Sequence, residues 1–193
     1  MNPTPIPLDD GRRLRGEARR RKLIAATLAV VERDGVAGVT HRSVAKQAGV
    51  SASSAIYYFA TLDDLLLAAL TAAAQAYAEQ LEALVASGRD EIDGIAEMIA
   101  EASGCGRQRA LAERELTLQA ARRPALRPIA QHWRTLVARA AGRHTSDPLT
   151  IQAVVAVADG ICAKALLEDE AVPAAAVNRL LRQVIGSAAP GTG

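Results

Sequence analysis

The sequence predicts an all-α protein, and three observations carry that prediction. Half of its 193 residues are apolar, yet Ala, Leu and Val dominate and only 3% are aromatic, a composition suited to helices packed closely through small side chains. Apolar residues recur at spacings of three and four, with no strand-like alternation. Capping and breaking residues punctuate the chain at helix-length intervals. The expected order is an N-terminal arm (1–15), a three-helix unit containing a helix-turn-helix (16–62), and a larger helical unit (63–190), about nine helices in all.

Residues 1–15 read as a disordered arm, because Pro3, Pro5 and Pro7 break any hydrogen-bonded ladder. Helical periodicity starts near Glu17. Ile24, Leu28 and Val31 form its apolar stripe, widened by Leu23 and Val30, and the helix ends where Gly35 can take a left-handed C′ conformation. Two short helices follow. Thr40 caps the first, Val44 and Ala45 face inward, Gly49 makes a left-handed turn, and Ser51 caps the second. Thr61 caps a long fourth helix, with Asp63 and Asp64 in its first turn favoured by the helix dipole and Gly88 closing it.

Further helices are expected near 90–102, 107–121, 125–141, 148–168 and 174–187, with Pro124 and Pro128 in the first turn of the third of these. The last two differ from the rest. Residues 148–168 are apolar or small on nearly every face, and Val177, Leu180, Leu181, Val184 and Ile185 form a strong stripe on 174–187. This pair is either wholly internal or, with only a few short helices to cover it, the expected homodimer interface, a four-helix bundle with its symmetry copies.

Charge is unevenly placed. Residues 12–51 carry ten basic and three acidic groups, a local +7, whereas residues 52–193 carry thirteen basic and sixteen acidic groups, a local −3. One end is built to meet an anion. Cys105 and Cys162 match no zinc or redox spacing, and no pattern calls for a cofactor or a metal. His41, His132 and His144 lack the Glu-x-x-His partner of helical metal sites, and no phosphate loop or nucleophile elbow occurs, which argues against an enzyme. No apolar run is expected to cross a bilayer and the proline-rich N-terminus does not read as a signal peptide, so a soluble cytoplasmic protein without a membrane partner is expected.

Tyr57, Tyr58 and Phe59 cluster in a chain with only five aromatic residues. A recognition helix explains the cluster. Ala52, Ser53 and Ser54 give it a slim front for the major groove, Ala55 and Phe59 anchor it inward, and the Tyr57 and Tyr58 hydroxyls reach toward phosphates.

The segment from Arg21 to Leu70, and especially the joint pattern of Gly35, Thr40, Arg42, Ala45, Gly49, Val50, Tyr57, Phe59 and Leu65, resembles the N-terminal module of the tetracycline-repressor (TetR) family of bacterial transcription regulators. The resemblance covers roughly residues 17–70. It implies a double-stranded DNA operator read by a dimer, and a small-molecule effector that releases it. It places Thr40 on a phosphate, Arg42 on a guanine, His41 on a further backbone contact, and Ser51, Ser53, Ser54, Tyr57 and Tyr58 at groove and phosphate positions. For Arg42 the alternative is a surface arginine pairing with Asp34 or a phosphate.

Ala52, Ile56 and Leu62 depart from the family's usual polar or basic, tyrosine and lysine residues. Ile56 is suited to a thymine methyl, and Arg12 to Lys22 become the source of the missing electrostatic affinity. Tyr77, Glu115, Gln119, His132 and Trp133 are the polar and aromatic candidates for the effector pocket. A basic interaction module that binds acidic protein or membrane is the remaining alternative; it leaves the Thr-Arg, Gly-turn and Tyr-Tyr spacing unexplained.

Overall fold

The computed structural model describes residues 8–168 and 170–187. Nine α-helices, a further single-turn α-helix and two 3-10 turns, without strands, are found among the described residues. They divide into two compact units at Ala69/Leu70, inside the fourth helix rather than at 62/63.

In the first unit α1 spans Leu8–Asp34, α2 His41–Ala48 and α3 Ala52–Tyr58, and α4 begins at Leu62. The start of α1 corrects the expected arm: residues 8–15 are helical, whereas residues 1–7, with the three prolines, lie outside the described residues. The buried face of α1 is also rotated from expectation. Leu23, Ala26, Thr27, Val30 and Val31 are buried, while Ile24 and Leu28 are half-exposed. Thr27 is tolerated inside because its hydroxyl donates to the Leu23 carbonyl at 2.9 Å, leaving no unpaired polar group.

Gly35 has φ 72° but ψ 175°, so it turns the chain into a short 3-10 segment, Val36–Gly38, rather than a left-handed cap. Gly38 is required by packing, since an added Cβ would come 2.5 Å from Asp34 Cβ.

Thr40 and Ser43 form a reciprocal capping box at the start of α2. Gly49, at φ 62° and ψ 42°, closes α2 as the αL residue of a Schellman motif, with Val50 N–H donating to the Ala45 carbonyl at 3.0 Å and Gly49 N–H to Lys46 at 3.2 Å. Ser51 then caps α3 through Ser54 N–H at 3.1 Å. Thr61 and Asp64 cap α4 (Leu62–Ala86) in the same reciprocal way, and Gly88 at φ 84° ends it.

The second unit adds α5 Glu91–Ser103, α6 Arg107–Gln119, α7 Arg127–Ala130, α8 His132–Gly142, α9 Pro148–Glu168 and α10 Ala174–Ser187. Its core joins Leu81 of α4 to Ile92, Ile95 and Ile99 of α5, Leu136 and Val137 of α8, Val154 and Ala158 of α9, and Val177 and Leu181 of α10. The single helix expected over 125–141 is broken into a 3-10 turn at Pro124–Leu126, the one-turn α7 and α8. Pro128 lacks the N–H that would bond the Pro124 carbonyl, so the ladder fails where two prolines sit four residues apart.

One side of α9 stays uncovered. Leu149, Gln152, Ala156, Gly160, Lys164 and Leu167 recur at helical spacing and are exposed, Leu149 at 75% and Leu167 at 86%. The expectation that no apolar run could span a bilayer needs correction: α9, with a mean hydropathy of 1.6 over eighteen residues, is long and apolar enough by length and composition. Its opposite side carries Val154, Ala158 and Ala165 in the unit's interior, and on the flank between the two sides the Asp159 carboxylate forms an ion pair with Arg134 at 2.6 Å.

Candidate nucleic-acid interface and ligand cavity

Residue by residue, α3 is divided into an inward and an outward side. Ala55 and Phe59 (2% exposed) are buried, and the Arg20 guanidinium of α1 lies 4.9 Å from the Phe59 ring centre, closing the pocket with a cation–π contact. Ala52 and Ser53 are exposed, Ser54 is half-buried, Ile56 is 50% exposed and Tyr57 83% exposed. Ile56 and Tyr57 thus place apolar surface side by side on the outward face of α3.

Tyr58 differs from Tyr57. The two rings meet edge to face at 5.2 Å, but Tyr58 is half-buried and turns its hydroxyl toward α1 at Gly16.

Thr40 and Arg42 are exposed at the start of α2. Asp34, the alternative partner for Arg42, is held by Arg33, whose Nη2 lies 2.6 Å from Asp34 Oδ2 and whose guanidinium keeps that carboxyl below the usual range. His41 is engaged inside the unit: its Nε2 donates to the Phe59 carbonyl at 2.8 Å, which ties the start of α2 to the end of α3. That bond sets the angle between the two helices and leaves only the other side of the ring for a phosphate.

The second unit holds a cavity of about 370 Å³, within the usual range for small-molecule sites. Tyr77 of α4 and Trp133 of α8 form its aromatic wall, with ring centres 5.7 Å apart and planes inclined at 54°. Ile99, Ala102, Ala110, Leu118, Ala130, Ala165 and Leu166 add apolar surface, and Glu113, Arg114, Arg127, Arg134 and Asp159 add charge.

Glu113 accepts hydrogen bonds from the Tyr77 hydroxyl and, at 2.9 Å, from Arg109. Burial, and then the Glu113 carboxylate, hold the Tyr77 hydroxyl protonated far above the ordinary tyrosine range. Cys162 also lines the cavity, its thiol pushed up to about 11 by burial and so kept neutral.

Of the five residues expected here, Tyr77 and Trp133 line the cavity, whereas Glu115, Gln119 and His132 do not. For Glu115 and Gln119 the reason is rotational. Ala110, Glu113, Arg114, Thr117, Leu118 and Ala121 follow the i, i+3, i+4, i+7 rule on one face of α6 and its C-terminal turn, which carries Glu115 and Gln119 away. That stripe is present in the sequence, but its mixture of charged and small residues gives no apolar contrast. His132 lies at the break before α8, with its Nε2 buried and without a hydrogen-bond partner among the described residues.

A helix-turn-helix whose second helix keeps a slim exposed front, together with a unit enclosing an aromatic cavity, defines a class: a DNA-binding regulator with its own small-molecule site. Comparison with known proteins narrows this. Residues 23–69 match the family of bacterial regulatory proteins of the tetR type, and residues 87–187 match the tetracyclin repressor-like C-terminal domain. The chain belongs to the TetR family of transcription regulators, whose members are ligand-responsive and not enzymes.

Among solved structures, the multidrug binding protein EbrR complexed with ethidium is 40% identical over 86% of this chain and 97% of that one, with a TM-score of 0.74. EbrR is also known complexed with malachite green and with proflavin. A TetR-family member from Streptomyces coelicolor A3, SCO1917, is likewise 40% identical, with the same coverage and a TM-score of 0.75. The regulator SCO7518 from Streptomyces coelicolor A3(2) is 25% identical, covering 86% of this chain and 98% of that one, with a TM-score of 0.73. No match is found among curated proteins.

Proposed function

We propose that this protein is a cytoplasmic, dimeric transcriptional repressor that binds a palindromic operator and is released by an aromatic small molecule. The observation that carries the DNA reading is the two-sided α3: Phe59 buried, Tyr57 and the Ala52–Ser53 front exposed. Two such helices on a symmetric dimer would enter successive major grooves, with Thr40, Ser51, Ser54 and the two tyrosines at phosphates and Ser53, Ile56 and Arg42 at base edges. The uncovered side of α9 and the exposed edge of α10 supply the dimer surface. Coupling would run through α4, which carries Tyr77 in the cavity wall and the buried Leu65 and Leu66 near its start.

The test is binding to DNA from upstream of the protein's own gene. Affinity should fall steeply as salt rises, because phosphate contacts release counterions. Arg42→Ala is expected to lose discrimination at one base pair per half-site, on the order of 1–3 kcal/mol. Equal loss on every sequence would make Arg42 a phosphate contact instead.

The effector reading rests on the Tyr77 and Trp133 rings and on two carboxylates of the cavity lining, Glu113 from α6 and Asp159 from α9. EbrR, whose complexes contain ethidium, malachite green and proflavin, makes cationic aromatic dyes the first compounds to titrate. Trp133 is the chain's only tryptophan, so its quenching reports binding directly. Glu113→Gln is expected to weaken a cationic dye about tenfold, roughly 1.4 kcal/mol, while leaving a neutral aromatic compound unchanged. Unchanged affinity for the cation would remove Glu113 as its charge partner.

A further inference from the structure

The N-terminal half of α1 contributes little to the interior of its unit. From residue 11 to residue 22 no side chain is buried and Leu23 is the first that is, so these three turns are held without the core burial that normally stabilises a helix. Those turns are crowded with like charge, Arg12, Arg13, Arg15, Arg19, Arg20, Arg21 and Lys22. Arg13 is paired with Glu17 at 3.1 Å and Arg20 covers Phe59, yet four of the others fall into register. Arg12, Arg15, Arg19 and Lys22, at i, i+3, i+7 and i+10, share one side of the helix and line a groove of about 510 Å³ whose wall, among the described residues, holds no acidic side chain.

Two small residues, Gly16 and Ala18, and one phenol, Tyr58, complete that groove. A Cβ on Gly16 would lie 3.7 Å from the Tyr58 hydroxyl, so a larger side chain there would fill the space. At its other end the stripe reaches the helix-turn-helix itself, since the Lys22 ammonium lies 3.9 Å from the Cβ position of Gly49 in the α2–α3 turn. The basic groove is therefore continuous with the edge of the unit that carries Tyr58 and the α3 cap.

We propose that this groove is a second DNA-contacting element: Arg12, Arg15, Arg19 and Lys22, with the Tyr58 hydroxyl, track phosphates of the duplex that flanks each half-site. The inference rests on the DNA-binding reading above and extends it from the recognition helix to the helix at the start of the unit. A polyanion fits better than a single anion, because ten residues of helix separate the first cation from the last, about 15 Å along the axis. That length matches about four base pairs of duplex at 3.4 Å each. It also supplies the phosphate grip that Leu62 does not.

The experiment uses the full chain and a genomic fragment that the wild-type protein itself selects, with affinity measured across a salt series and the protected region mapped by footprinting. A variant with Arg12→Gln, Arg15→Gln, Arg19→Gln and Lys22→Gln, which removes charge but keeps good helix formers, is expected to retain base preference. Its slope of log affinity against log salt should become shallower by about 0.9 for each phosphate that is no longer neutralised, and its footprint should shorten by about four base pairs at each end.

Gly16→Leu, which fills the groove at constant charge and favours the helix, should shift the slope and the footprint in the same direction. An unchanged slope and footprint in both variants, with wild-type binding intact, would overturn the second element and leave the recognition helix standing. Failure of the wild-type chain to bind any DNA would overturn both. Inorganic phosphate is the remaining arm. If it displaces DNA from the wild type more strongly than chloride at equal ionic strength, and not from the quadruple variant, the groove is a site for a free anion and the proposal fails.

Discussion

Phe59→Ala is expected to abolish DNA binding and to destabilise the first unit by about 3–5 kcal/mol, the usual consequence of emptying a buried aromatic site. The expected loss is large because the ring is enclosed on both sides. It is 2% exposed and its outer face lies under the Arg20 guanidinium, while the backbone carbonyl that accepts from the His41 ring nitrogen at 2.8 Å is kept by the substitution. Removing the ring leaves a void in a small three-helix core and a guanidinium with nothing beneath it. A small unit seldom has more than about 5–10 kcal/mol in reserve.

The measurement is urea unfolding followed by circular dichroism, with DNA binding assayed in parallel. Trp133 belongs to the second unit, so its fluorescence follows that unit separately. A variant that melts like the wild type and still binds DNA would show that α3 is not held by this peg.

Gly160→Glu is expected to convert a dimer into a monomer and to lower operator affinity on the order of a hundredfold. The second number follows from effective concentration: two half-site contacts made by linked heads are worth about 10²–10⁴ over either alone. Gly160 suits the test because it sits mid-stripe on the uncovered side of α9, with Ala156 one turn before it and Leu167 two turns after. A Cβ added there meets nothing within 4 Å, so the substitution leaves the protomer's own packing alone.

Replacing glycine inside a helix also raises helix propensity by about several tenths of a kcal/mol, so the monomer should melt no lower than a wild-type protomer. At an interface where α9 meets its copy, the same substitution brings a carboxylate into a close apolar contact. Size-exclusion chromatography with light scattering reads the result. A dimer that persists unchanged would place the interface elsewhere.

The parts of this molecule that are legible in the sequence share a property: their causes are local. Thr40 with Ser43, Gly49 with Val50 and Ala45, Ser51 with Ser54, and Thr61 with Asp64 each act within five residues. Phe59 inward and Tyr57 outward follow from one turn of helix. The fold class, the helix-turn-helix and the limits of α9 and α10 can be read for the same reason.

The differences between expectation and structure also have a common cause. Composition favours Glu115 over Glu113, and Ile24 and Leu28 over Ala26 and Thr27, because it does not say how a helix with apolar or charged groups on several sides is rotated. The break between Pro124 and Pro128 is hidden because each proline, taken singly, looks like the start of one continuous helix. The apolar length of α9 is masked because Asp159 and Lys164 interrupt the run without lowering its mean hydropathy below what a span needs.

By itself the sequence determined the succession of helices, the two caps and the left-handed turn that hold α2 against α3, and the basic character of the first unit. These depend on backbone hydrogen bonds and φ/ψ preferences that close within a turn or two. Only the tertiary structure decided which side of α6 faces the cavity and that Tyr58 points at Gly16 across a row of cations. Those outcomes depend on which neighbour excludes water from which side chain, and that neighbour lies tens of residues away along the chain.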